Sequence, residues 1–118
     1  MSDNGEIQRL LEASRVEEKK GNLHGSIRHL QVLSDLLPNN ASIFNKLGIM
    51  NYGVGELNLA EKNTCKALAL SPNVSSYHNT LALIFKKKGD LASSLESLQQ
   101  ALRIDDKNAQ AWNNLGLV

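Results

Sequence analysis

Three glycines spaced 34 residues apart constrain this chain more than any other feature. Gly21, Gly55 and Gly89 are each followed by a polar residue and then a leucine. The same step links further positions of matched size and polarity, namely Leu36, Leu70 and Ile104; Pro38, Pro72 and Asp106; Ala13, Leu47, Leu81 and Leu115; Ser14, Gly48, Ala82 and Gly116; and Ser26, Ala60 and Ser94. A fixed period of this length is typical of proteins built from stacked, similar units.

The matched positions divide the 118-residue chain into units. Unit one is residues 7–40, unit two is 41–74, unit three is 75–108, and residues 109–118 begin a fourth. Residues 1–6 are polar, and we expect them to form a flexible N-terminus.

Each unit has the pattern of two helices. In unit three, Leu81 and Phe85 precede Gly89 at helical spacing, and Leu91 and Leu95 follow it. The glycine suits the left-handed conformation that ends a helix, and a proline stops the second helix of units one and two. No segment shows the alternation typical of β-strands. The sequence therefore predicts an all-α fold.

These units resemble the tetratricopeptide repeat (TPR) family over residues 7–118. The segment Ala-Trp-Asn-Asn-Leu-Gly at 111–116 is similar to the start of a TPR unit, and Ile-Phe-Asn-Lys-Leu-Gly at 43–48 is similar with phenylalanine for tryptophan. His78 lies in the position of Phe44 and Trp112, and we interpret it as a packing substitution. The second-helix signature is carried by Ala60, Ala67, Leu68, Leu70 and Pro72, and by Ala101, Leu102 and Ile104.

The resemblance implies a right-handed α-solenoid of about seven helices arranged in antiparallel pairs. In that family, the first helix of each unit lines a concave groove that holds a peptide or a partner helix. The matching groove positions here are Asn45, Asn79 and Asn113; Ile49, Leu83 and Leu117; and Tyr52 and Lys86. The asparagines could bind a peptide backbone or be ordinary polar surface, and the apolar residues could contact a ligand or pack adjacent helices together.

Two specialised forms of the groove occur in the family that the chain resembles. The positions of the carboxylate clamp found in chaperone-binding members hold Leu11, Arg15, Lys46, Ser76 and Thr80, so we predict no such clamp. The asparagine ladder of the protein O-glycosyltransferases would fall on Lys46, Thr80 and Asn114, and only the last agrees. The lysines at 86–88 could meet an acidic partner, although a solvated helix end is the favoured interpretation.

Composition and motifs argue against several other functions. The 13 basic and 12 acidic residues leave a net charge of +1, and aromatic residues are 4%, so we predict no nucleic-acid binding. No catalytic, metal-binding or cofactor-binding motif is present, which predicts a non-enzymatic chain without a cofactor. No apolar run is long enough for a membrane span, and no secretory signal is visible, so a cytoplasmic location is expected.

The C-terminal segment 109–118 carries no charged residue. Trp112, Leu115 and Val118 would form a face that meets a following helix or a second copy of the chain. The leading hypothesis is an interaction module that binds a peptide or protein. The alternatives are the recognition arm of a larger enzyme, such as a glycosyltransferase, oxygenase or sulfotransferase, and a self-assembling repeat protein.

Overall fold

The computed structural model of the chain describes residues 3–116. Over this range the backbone forms seven α-helices and no β-strand, which confirms the all-α solenoid of helix pairs. The predicted groove residue Leu117 and the predicted face residue Val118 lie outside the described residues. The helices are α1 (Asp3–Lys19), α2 (Leu23–Leu36), α3 (Ala41–Gly53), α4 (Leu57–Leu70), α5 (Ser75–Lys88), α6 (Leu91–Ile104) and α7 (Ala109–Gly116).

The helices pack as three successive hairpins followed by α7. Helices α1 and α2, α3 and α4, and α5 and α6 contact each other within a pair, and the second helix of each pair also contacts the first helix of the next. The first helices α3, α5 and α7 lie side by side in a row. Helix α1 begins at Asp3, so residues 3–6 of the predicted N-terminal segment belong to this helix.

The repeated glycines end the first helix of each pair in the same way. Gly21, Gly55 and Gly89 have φ angles of +80°, +85° and +87°, which only glycine adopts without strain. After each one, the next backbone N–H reaches back five residues to a helical carbonyl, as Asp90 does to Phe85 at 2.9 Å. This closure satisfies the free end of the helix and turns the chain into the second helix.

Replacing Gly89 by alanine is expected to lower the free energy of unfolding by about 1 kcal/mol, because the added Cβ strains a left-handed residue. Gly5 provides the matched control, since it lies within α1 with open space around it. Gly5→Ala should leave stability unchanged or raise it by up to about 1 kcal/mol, because alanine favours a helix. Urea unfolding curves measure both changes, and equal effects at the two positions would contradict the assigned role of Gly89.

Polar side chains begin several of the helices. Asn40 and Asn108 each accept a hydrogen bond from the backbone N–H three residues later, at 3.2 and 3.0 Å, as helix caps of this type do. Asn22 and Asp90 do the same for α2 and α6. Hydrogen bonds from the side chain and then the backbone of Ser93 lower the pKa of Asp90, so this cap persists in mildly acidic solution.

Small residues allow the helices of a pair to approach closely. Gly48 of α3 faces Ala60 and Thr64 of α4. In the next pair, the hydroxyl of Ser94 donates to the carbonyl of Ala82 at 2.8 Å. Larger apolar residues fill the space between the first two units, where the buried cluster consists of Ile27, Leu30, Leu33, Ile43, Leu47 and Met50. The matched small positions of the sequence are therefore points of helix contact.

Candidate functional site

A cavity of about 280 Å³ opens between the first helices α3, α5 and α7, and we call it the main cavity. It is slightly smaller than the roughly 300–1,000 Å³ typical of small-molecule sites, so its size suits a single side chain. Its lining residues are Asn45, Ile49 and Tyr52 of α3, Ser76, Asn79, Thr80 and Leu83 of α5, and Gln110 of α7. None of these residues carries a charge.

Five of the predicted groove residues meet at this cavity, namely Asn45, Ile49, Tyr52, Asn79 and Leu83. They converge because they recur at matched positions of neighbouring first helices. Asn113 is exposed and does not line the cavity. It lies one helical turn after Gln110, beyond the edge of the cavity. Lys86 lies next to the main cavity in a second one.

The two asparagines of the main cavity have different hydrogen-bond environments. Asn79 is 4% exposed, and its Oδ1 accepts a hydrogen bond of 2.8 Å from Nδ2 of Asn114. Asn45 is 9% exposed, and its Oδ1 has no hydrogen-bond partner among the described residues. An unpaired buried acceptor costs roughly 1–3 kcal/mol, so Asn45 would gain from a donor that enters the groove.

A second cavity of about 340 Å³ adjoins the first, and we call it the lysine cavity. It shares Tyr52 and Leu83 with the main cavity, and its other lining residues are Lys86, Lys87 and Asn114. The two cavities therefore lie side by side along α5, with Tyr52 and Leu83 between them.

The three consecutive lysines at the end of α5 do not share one environment. Lys88 points away from the groove towards α4, where its Nζ contacts a carboxylate oxygen of Glu61 at 2.7 Å and Oδ1 of Asn58 at 2.9 Å. Lys86 and Lys87 line the lysine cavity instead. The prediction that the lysines at 86–88 form a solvated helix end is therefore incomplete, because their side chains leave the helix in different directions.

Several lining residues were not identified as groove residues from the sequence. The sequence places Ser76 and Thr80 only among the positions of a carboxylate clamp. Both line the main cavity, and the Thr80 hydroxyl donates to the Ser76 carbonyl at 3.0 Å. Gln110, Lys87 and Asn114 complete the two cavities. Helical spacing was the available signal, since Ser76 and Thr80 precede Leu83 on neighbouring turns of α5.

The position shared by His78 and Trp112 has a structural role. Nε1–H of Trp112 donates to the carbonyl of Asp106 at 2.7 Å, and Nε2 of His78 lies 2.9 Å from the carbonyl of Pro72. A carbonyl only accepts, so Nε2 of His78 carries the hydrogen. Both rings therefore bond to the turn six residues earlier, which supports the packing interpretation of His78.

The predicted C-terminal face is partly visible in α7. Trp112 is 53% exposed, whereas Leu115 is half-buried against the cluster formed by Ala82, Leu98, Ala101 and Ala111. The exposed indole is available to a further helix or to a second copy of the chain. Self-association through this face stays a prediction.

Residues 3–116 contain no group of three or more His, Cys, Asp or Glu side chains placed to hold a metal ion. Partial burial, together with the negative charge of Glu61, raises the pKa of the Cys65 thiol, so less of the reactive thiolate is present at neutral pH. None of the helices in this range has the length and apolarity needed to cross a membrane.

Comparison with known proteins identifies the repeat. Residues 82–118 match the family described as "TPR repeat". The whole fold is similar to that of a Thermobaculum terrenum O-GlcNAc transferase mutant, with a TM-score of 0.90 and 25% identity over 99% of this chain and 22% of that one. Residues 82–118 therefore carry a tetratricopeptide repeat, and the chain has the TPR-like fold of helix pairs. The predicted family resemblance is thereby confirmed.

Further similarities connect this TPR chain to proteins of different kinds. The first TPR domain of Spaghetti (RPAP3), solved with the HSP90 peptide SRMEEVD, has the same fold at a TM-score of 0.89 and 17% identity, over 96% of this chain and 90% of that one. Human aspartyl/asparaginyl beta-hydroxylase is 29% identical over 73% of this chain and 11% of its own length. The Caenorhabditis elegans BBSome complex member bbs-4 is 26% identical over 87% of this chain and 22% of its own length. The chain thus spans less than a quarter of either curated relative.

Proposed function

We propose that this TPR chain is a non-catalytic interaction module that binds an extended segment of a partner protein along α3, α5 and α7. The observation that carries the proposal is the main cavity, which is uncharged and is lined by three successive first helices. Its size suits a side chain of the partner, and its open groove leaves room for the chain on either side. The fold is one that other proteins use to hold peptides, as the RPAP3 domain does.

The lining residues offer a ligand two kinds of interaction, apolar contact and hydrogen bonding. Ile49, Tyr52 and Leu83 would contact an apolar side chain of the partner. Asn45 would accept a hydrogen bond from the partner backbone, because its buried oxygen otherwise lacks a donor. Asn113 would contact a longer ligand that continues past Gln110 along α7.

Selection from a library of random peptides tests this function directly. The folded chain is immobilised, and the same chain unfolded in urea serves as the control surface. We expect the folded chain to enrich peptides that share an apolar residue, and these peptides should compete with one another for one site. Failure of the folded chain to enrich any peptide above the unfolded control would contradict the proposed function.

A recognition arm of a larger enzyme is the second candidate. It is favoured by the similarity to the beta-hydroxylase and to the O-GlcNAc transferase, of which this chain spans 11% and 22%. The groove would then present a protein substrate to a catalytic domain elsewhere in the polypeptide. The mass of the native polypeptide in its own cells distinguishes the two candidates, since a species of 118 residues excludes the arm and a much heavier one excludes the independent module.

A further inference from the structure

The two adjoining cavities differ in the chemistry that they offer. The main cavity has an uncharged lining, whereas the lysine cavity is lined by Lys86 and Lys87 with no Asp or Glu among its described residues. Leu83 and Tyr52 form the wall between them. A ligand that fills both cavities therefore meets an apolar environment in one and two positive charges in the other.

The spacing of the lining residues along α5 sets the distance between the ligand group that fills the main cavity and the group that fills the lysine cavity. Asn79, Leu83 and Lys87 follow one another at four-residue intervals on one side of the helix. The rise from Leu83 to Lys87 is roughly 6 Å at 1.5 Å per residue. In an extended peptide, side chains two residues apart point to the same side and are separated by about 6.6 Å.

We infer that the partner segment carries an apolar side chain for the main cavity and, two residues away, an Asp or Glu whose carboxylate lies at Lys86 and Lys87. This inference rests on the proposed function and specifies the chemistry of its ligand. The carboxylate belongs to a side chain within the partner sequence. In an extended peptide, a side-chain carboxylate two residues from the apolar side chain projects from the backbone to the same side. A C-terminal carboxylate is part of the backbone itself and does not project in this way.

The experiment uses a random peptide library with constant sequences on both sides, so that no free C-terminus lies within the selected region. Selection is performed with the original chain, with the double variant Lys86→Gln/Lys87→Gln, and with Lys62→Gln as the matched control. Lys62 is an exposed lysine of α4 that lines neither cavity. Circular dichroism verifies that all three proteins are folded.

The original chain and Lys62→Gln are expected to enrich Asp or Glu two residues from an apolar position. The double variant should retain the apolar preference and lose the acidic one. A selected peptide should bind the double variant about 3–10-fold more weakly in a fluorescence anisotropy titration, as expected for the loss of two partly exposed charge pairs. Replacing its acidic residue by the corresponding amide should weaken binding to the original chain by a similar factor.

Three outcomes would overturn the inference. These are an apolar preference without an acidic one, an acidic preference that the double variant retains, and unchanged affinity when the peptide carboxylate becomes an amide. Each of them leaves peptide binding itself intact. Failure to enrich any peptide contradicts the proposed function and this inference together, so the two failures are distinguishable.

Discussion

Replacing Gly48 by alanine is expected to lower the free energy of unfolding by about 1–3 kcal/mol, the usual effect of forcing an extra methyl group into a packed interface. The new Cβ would clash with the hydroxyl of Thr64 and lie 3.2 Å from the carbonyl of Ala60. Alanine favours a helix over glycine by up to about 1 kcal/mol, so the substitution would raise the free energy of unfolding if the clash were relieved. Thr64 is fully buried, so the close packing around it leaves its side chain little room to move aside.

A double variant separates this clash from other effects of the substitution. Thr64→Ala removes a hydroxyl that has no hydrogen-bond partner among the described residues, and so it vacates space without breaking a hydrogen bond. Gly48→Ala/Thr64→Ala should therefore recover most of the stability lost by Gly48→Ala in urea unfolding. A single variant as stable as the original chain, or a double variant without recovery, would contradict the close approach of α3 and α4.

Replacing Leu83 by aspartate should weaken binding of a selected peptide about 10-fold or more. Leu83 lines both cavities, so the change removes apolar contact and places a charge in the shared wall. Burying a leucine side chain is worth roughly 1.5–3 kcal/mol, and 1.4 kcal/mol corresponds to a tenfold change in affinity. Fluorescence anisotropy with a labelled peptide measures the loss.

Leu95→Asp provides the matched control for this substitution. Leu95 lies on α6, is 36% exposed and lines neither cavity, so the same chemical change occurs on a second helix away from the groove. Its affinity for the peptide should stay within about twofold of the original chain, and circular dichroism should show that both variants are folded. Equal weakening by the two variants would indicate a binding surface other than the groove.

The fold followed from the sequence because each element has a local signal that tertiary packing does not override. The spaced glycines predicted the turns, and all three have the positive φ that makes glycine necessary there. Asparagine is a residue type that commonly begins helices, and Asn40 and Asn108 both form such a cap. The beginning of α1 was harder to predict from the sequence, because the polar residues before Ile7 lack the apolar periodicity that marks the other helices.

The site was only partly predictable, because a cavity depends on how neighbouring helices face each other. Asn45 and Asn79 are at equivalent positions of equivalent helices, so the repeat alone brought them together. Asn113 has the same sequence position but is exposed on α7, where the row of described first helices ends. The separation of Lys88 from Lys87 depends on Glu61, which lies 27 residues earlier in the chain and is brought near only by the packing of α4 on α5.

Nuclear magnetic resonance of the ¹⁵N-labelled chain, titrated with a peptide obtained by selection, tests the central proposal most directly. The groove predicts that the largest shifts belong to the side-chain amides of Asn45 and Asn79 and to the backbone amides of Ile49, Tyr52 and Leu83. Signals from α2, α4 and α6 should change little. Shifts concentrated on those second helices, with the groove signals unmoved, would contradict peptide binding between α3, α5 and α7.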